Sequence, residues 1–554
     1  MLCMGMHRPR PLNNGRALEN LAEATTPGDC IKRLYAFQRG GQFESILLFT
    51  DIAFTVRSSN MNKRKPNVIK TQLEILNQLF SQYPLMVHIN EECFRVGDFD
   101  TPASSPISIT IHSADFLRDA GAFGEIELAD AFVRGYIEFP DENLPQVLTQ
   151  IVPLIQKAPS SNERLRLITL TREYRSLVSP LKRLDFKRSI KFAGRDIRKG
   201  SMRTAIAIAQ RLSQRNLPVW VRYITEKINI KSHYDLPDEM FHLFLSSGGD
   251  ANEETAYSCS YPQDPHKIGV TKNIDKNIRL EQAQESKFEL TARKLGLHRV
   301  DKSAPIRLLD IGCGVGGFLC YCLTHYGDQI EMATGITLSQ RQLDTARKRG
   351  EKLGFSEKLD LRLQNYRDIN DTFDRIATAG MVEHVGFANM PGFTRKVHDI
   401  LSPNGRALLH LIVSQREQTN EPGGWVAGGS EFIRERIFPG GQVPGLSYMQ
   451  QWLQQSGMTI EHEHLFGYYY YWTLTQWYKN FCRNNDNIEK VLLAAGYSAA
   501  KTTKIIAEYK LYLAGCAVVF QQGYLGLAQF TLNKDGRVRD DASLEAFIST
   551  HNAP

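Results

Sequence analysis

The sequence predicts an α/β fold: a mostly parallel sheet with helices on both faces, preceded by a smaller α+β domain. Three observations carry this expectation. From His233 onward strand-like runs alternate with helical ones, the pattern of a parallel sheet. The run Ile306–Phe318, IRLLDIGCGVGGF, is an apolar strand leading through Asp310 into a glycine turn that opens a helix. Ahead of both, strand-like alternation appears in ILLFTDIAFTV, PLMVHI and ISITIHS.

At 554 residues the chain suits two domains better than one core. Residues 1–30, rich in Pro, Gly, Asn and Arg, are expected to be poorly ordered. Residues 31–175 form the accessory α+β domain, in which Gly124–Ile137 (GEIELADAFVRGYI) reads as a short amphipathic helix. Its apolar residues recur at three- and four-residue spacing. Residues 176–225 form a basic helical linker, where Lys187, Arg188 and Lys191 alternate with apolar Phe186, Ile190 and Phe192. That pattern suits anionic lipid headgroups and a solvated linker equally, and Gly194 and Gly200 interrupt any single helix. Residues 226–535 carry the main α/β domain, and 536–554 a tail.

Composition narrows the class less. A hydrophobic share of 42% against 23% charged residues is ordinary for a globular protein. The net charge of +7 is compatible with an acidic membrane surface without requiring one, and nothing calls for nucleic acid. Nine cysteines scattered from Cys3 to Cys516 lack the paired spacing of a metal site and read as free thiols in a reducing compartment. No apolar run approaches the roughly 20 residues that span a bilayer. The amino terminus also lacks the apolar core of a secretory signal. The expectation is a cytoplasmic protein that meets any lipid at the membrane surface, with no metal.

The glycine turn is ambiguous alone, because Gly312, Gly314 and Gly317 satisfy the G-x-G-x-x-G pattern of dinucleotide sites. The next strand, IEMATGITLS, separates the readings. It ends in Thr337, Leu338 and Ser339, with no carboxylate to bind a nicotinamide ribose. Asp310 ahead of the first glycine is the usual methyltransferase feature, so S-adenosylmethionine is favoured over NAD(P).

With these residues in view, the chain resembles the cyclopropane-fatty-acyl-phospholipid synthases and mycolic acid cyclopropane synthases. The resemblance covers about residues 230–530, where HYDLPDEMFHLFLSS, AYSCSYP, LEQAQESKFEL, LLDIGCGVGGF, GITLSQRQL, MVEHVG, FIRERIFPGG, YYYYWTLTQW and YLAGCAVVF follow the family's order. It implies a Rossmann-like class I methyltransferase domain. It further implies cofactor contacts from Tyr257, Ser258, Asp310, Gly312, Gly314, Thr337, Leu338, Gln342, Asn365 and Tyr366. The family usually has Asp or Gly where Asn365 stands, and a core role competes for Tyr366.

The resemblance also implies a reaction. A methyl cation added to a cis double bond leaves a carbocation, and ring closure requires loss of a proton to a nearby base. In the family a bound bicarbonate fills that role. The matching cage residues are Cys259, Glu383, His410, the Ile412 backbone and Tyr470. Cys516 matches a cysteine often marked as active, although the chemistry needs no protein nucleophile. Trp472 departs from the family, which has Arg there. The implied substrate is the unsaturated acyl chain of membrane phospholipids, reached by transient binding at the inner membrane surface, and a homodimer is left open. Methyl or methylene branching, methylation of another amphipathic substrate, a relict lipid-binding domain and a dehydrogenase are the alternatives.

Overall fold

The computed structural model describes residues 84–97 and 106–112 in large part, with 125–156, 236–246, 256–263, 277–414, 432–438 and 441–536, plus isolated positions near 70–77. All belong to one compact unit, Pro66–Pro554. The amino-terminal 30 residues, the run ILLFTDIAFTV, the basic 176–225 stretch and the 537–554 tail lie outside the described residues.

The accessory region is a four-stranded sheet of β1 (Leu85–Ile89), β2 (Glu92–Val96), β3 (Ile107–Ile111) and β4 (Ile137–Glu138), in the order β2-β1-β3-β4. Strands β1 and β3 pair in parallel and the others antiparallel. Helices α1 (Glu125–Val133) and α2 (Leu144–Gln156) accompany it. The helix expected over Gly124–Ile137 stops at Val133. Gly135, at φ 66°, turns the chain so that Ile137 enters the sheet.

The main domain opens with α3 (Asp238–Leu245) and α4 (Leu280–Lys294). The alternation then runs β5 (Ile306–Ile311), α5 (Gly317–Tyr326), β6 (Ile330–Thr337), α6 (Gln340–Lys352), β7 (Leu359–Leu363), β8 (Phe373–Ala379), α7 (Met390–Ile400) and β9 (Leu401–Ser414). After it come α8 (Leu446–Gln455), β10 (Thr459–Leu465), α9 (Gly467–Arg483), α10 (Asn485–Ala494), α11 (Ala499–Gln521) and β11 (Leu525–Asn533). The sheet order is β10-β11-β9-β8-β5-β6-β7. From β7 to β9 all pairings are parallel; β11 inserts antiparallel to both β9 and β10. This is the expected class I methyltransferase arrangement.

Burial explains the strand sequences. Every residue of β11 is buried, and the four residues Leu308–Ile311 of β5 are buried on both faces, so these strands read as apolar runs. Strand order reverses beside β5, which places the crevice for a ligand at the carboxyl ends of β5 and β6. Helices α9 and α11 stand over that end, and α2 packs on α11, so one apolar cluster contains Val147, Tyr470, Tyr512 and Leu513 together.

Candidate active site

The crevice is a cavity, and all ten residues expected to hold a cofactor line it. The turn after β5 forms its floor. The N–H groups of Gly312 and Cys313 both donate to Ile336 O, at 2.9 and 3.0 Å, which ties the turn to β6. Gly312 has φ 83°, and a Cβ there would stand 2.8 Å from Met381 Cβ, so only glycine fits. Gly314, at φ 53°, would place a Cβ in open space, as expected of backbone bared to a ligand.

Around this floor the side chains hold one another. Thr337 Oγ1 donates to Gln342 Oε1 at 3.0 Å and accepts from Ser339 N at 3.1 Å, fixing the entry to α6. Asn365 Oδ1 accepts from Arg367 N at 3.0 Å as a helix cap, which gives the unexpected asparagine a local task. Tyr366 does both things weighed for it: it lines the cavity and meets Phe393 edge-on, with centroids 5.1 Å apart. Asp310 is buried, and burial pushes its carboxyl up to about 7 against the opposing pull of Lys287.

Of the six residues expected around the reacting bond, Glu383 meets the Ile412 backbone, and Tyr470 lies near Cys259, Glu383 and Cys516. Glu383 lies on a short turn, Val382–His384, whose neighbours Met381 and His384 line the cavity. Its Oε1 accepts the Ile412 N–H at 2.7 Å. The backbone donor expected to face an anion is therefore engaged by the carboxylate, because a buried carboxylate takes the nearest free N–H. Glu383 Oε2 and His410 Nε2 are buried with no hydrogen-bond partner among the described residues. Burial raises Glu383 to about 7, the Ile412 N–H opposing. It also drives His410 well below its usual value, with Lys287 and Lys294 acting in the same direction.

Tyr470 joins the group from α9. Burial pushes its phenol well up, and Tyr512, Cys259, Glu383 and Cys516 are near enough to add to the effect. Cys259 is fully buried, its Sγ 4.0 Å from Thr473 Oγ1, and burial raises the thiol far beyond any nucleophilic range. Cys516 lies half-buried on α11. Trp472 packs partly buried against the surrounding apolar cluster. The aromatic cluster around Tyr470, hereafter the chamber, thus carries no charged side chain at position 472.

Other functional positions carry no motif of their own. Lys287 Nζ donates to Ser258 Oγ at 2.9 Å, and Gln284 Nε2 donates to the carbonyls of Ala256 and Ser258 at 3.1 and 2.9 Å. Together they pin the Tyr257–Ser258 segment to α4. Tyr257 OH donates to Tyr512 OH at 3.2 Å, linking the cavity wall to the chamber. His384, lowered to about 4 by burial, lines the cavity as a neutral ring.

The profile of the mycolic acid cyclopropane synthetase family matches residues 222–530. An S-adenosylmethionine-dependent methyltransferase of Mycobacterium tuberculosis is 32% identical over 309 residues, covering 55% of this chain and 96% of that protein. A cyclopropane mycolic acid synthase of Mycobacterium leprae is 31% identical over 325 residues, covering 55% and 93%. Among solved structures, a cyclopropane synthase from Mycobacterium tuberculosis is 28% identical, covers 55% of this chain and 97% of its own, and superposes with a TM-score of 0.45. With more than half its length matched by the profile, the chain belongs to the mycolic acid cyclopropane synthetase family and is a methyltransferase.

Proposed function

We propose that the protein transfers the methyl group of S-adenosylmethionine to the cis double bond of an unsaturated phospholipid acyl chain and closes a cyclopropane ring. The alkene π pair forms the new bond to the methyl carbon, and the sulfur keeps the electrons of the bond that breaks. A cation remains on the adjacent carbon. Loss of a proton from the added methyl then frees the C–H pair to close the ring.

The observations that carry this reading are two buried polar atoms with no partner among the described residues, Glu383 Oε2 and His410 Nε2, and the nearness of Glu383 to Tyr470, which packs against Trp477 and Phe520. Those atoms fit a small oxyanion, bicarbonate in this reading, which supplies the base when bound. Glu383, raised to about 7, can hold or release a proton near neutrality. Aromatic faces of Tyr470 and its neighbours favour a passing cation without trapping it. The lipid is met at the membrane surface: no helix among the described residues is long and apolar enough to cross a bilayer.

Lipid mass spectrometry in a host making monounsaturated chains tests the proposal. The expected result is a gain of one CH₂ with loss of the alkene, abolished by Glu383→Gln. A retained alkene would reassign the product to methyl or methylene branching, the outcome that Trp472 in place of a charged residue would explain.

A further inference from the structure

Behind His410 lies a buried polar chain that the proposed chemistry does not use. Lys294, on the last turn of α4, is fully buried, and its Nζ donates to Gln529 Oε1 at 2.7 Å. The same nitrogen lies 3.0 Å from His464 Nδ1. Gln529 sits on β11 directly opposite His410 on β9, and its Nε2 is 3.2 Å from His410 Nδ1. Gln529 is itself 0% exposed, so water does not compete for either end of its amide.

The hydrogen bond that Lys294 donates to Gln529 Oε1 sets the orientation of the amide. A lysine nitrogen carries N–H donors, and an amide oxygen only accepts. Turning the Gln529 amide over would set its N–H groups against those of Lys294 and would give up the 2.7 Å bond, leaving only the lone pair of a neutral amine as a partner. With Oε1 held by Lys294, the Gln529 N–H faces His410 Nδ1, which must then be the unprotonated, accepting nitrogen. The proton of a neutral imidazole stands on Nε2, the atom with no partner among the described residues.

We infer that Lys294 and Gln529 are positioning residues that lock His410 as the Nε2–H tautomer, a hydrogen-bond donor to the reaction site with no lone pair free for a proton. The inference rests on the proposed function only for the identity of what accepts that bond. It divides the roles of the two unpartnered groups. His410 orients and donates, and Glu383 is left as the side chain that exchanges protons. An imidazolium would oppose its Nδ1–H to the Gln529 N–H, so the same contact that selects the tautomer disfavours the charged ring. Burial, Lys287 and Lys294 act in the same sense on His410.

The test is nitrogen NMR of the full-length protein labelled with ¹⁵N in its histidine rings, with His410 assigned by the signal lost in His410→Gln. Near neutral pH the His410 Nδ1 should show the unprotonated shift and Nε2 the protonated one. Gln529→Glu places a carboxylate oxygen against Nδ1 and should move the proton there. Turnover should then fall on the order of 10–100-fold, as for supporting residues that orient a ligating histidine, while the Kd for S-adenosylmethionine stays within about twofold because the cofactor cavity is untouched. A wild-type spectrum with the proton on Nδ1 overturns the inference, whether or not the variant folds. So does a Gln529→Glu protein with the proton on Nδ1 and unchanged turnover. The tautomer is read without any lipid product, so failure of cyclopropane formation leaves this result standing, and the reverse holds as well.

Discussion

At the scale of single residues, Glu383 sets a pH dependence with a definite sign. Its carboxyl is raised from 4.5 to about 7 in the folded protein. Between those values the folded state holds more protons than the unfolded chain, so this residue lowers stability as pH rises from about 4.5 to about 7. The glutamine in Glu383→Gln does not titrate and still offers an oxygen to the Ile412 N–H. Its stability relative to wild type should therefore rise across that window and level off above it. The change is bounded at roughly 3 kcal/mol. Denaturant titrations at several pH values check this; a relative stability that falls with pH would contradict the burial of the group. Asp310 has the same sign but is present in both proteins and cancels. Gly312→Ala should weaken cofactor binding strongly, because the new Cβ meets Met381 at 2.8 Å and φ is 83°. Calorimetric titration of Gly312→Ala with Met381→Gly, which removes both the Cβ and the Cγ that the new methyl meets, separates the two causes: relief of the contact should restore affinity only in part, since the backbone strain persists.

At the scale of elements, α4 explains what the sequence hid. Its polar residues Gln284, Lys287, Thr291 and Lys294 fall at helical spacing and read as a solvated face. All four are buried, and Gln284, Lys287 and Lys294 bond to the Tyr257–Ser258 segment or to Gln529. A helix whose inward stripe is polar reveals itself only once its partners are known. The glycine turn was legible for the opposite reason. Positive φ and close approach are written in residue type alone, as Gly312 shows. The contact of Glu383 with Ile412 was not legible from spacing, because the two are 29 positions apart and meet through a hydrogen bond that no spacing rule predicts. Of the accessory helices α1 was legible as an element and α2 was not, and the attachment of neither was. Tyr478 OH on α9 donates to Asp141 O at 2.7 Å, and Lys510 on α11 pairs with Asp141. Tyr478→Phe should lower stability by about 1 kcal/mol in denaturant titration with unchanged cofactor affinity.

Across the whole molecule, the accessory sheet and the chamber helices share one apolar core. Val147 and Leu148 of α2 belong to the same cluster as Tyr470, Tyr512 and Phe520. Such a shared core unfolds as a unit. Scanning calorimetry followed by hydrogen exchange should find β1 and β3 losing protection together with α11, and an earlier, separate loss in β1 and β3 would show that the shared cluster does not couple them. The contact between Tyr257 and Tyr512 has a further consequence on this scale. One phenol belongs to the wall of the cofactor cavity and the other to the chamber proposed for the acyl chain, with a single hydrogen bond between them. A ligand that settles one ring biases the other, and thermodynamic linkage makes that influence mutual. Whatever factor the methyl donor contributes to the affinity for lipid, lipid must return to the donor. The spent, demethylated cofactor, which fills the same wall, is then expected to leave more slowly while an acyl chain is still in place.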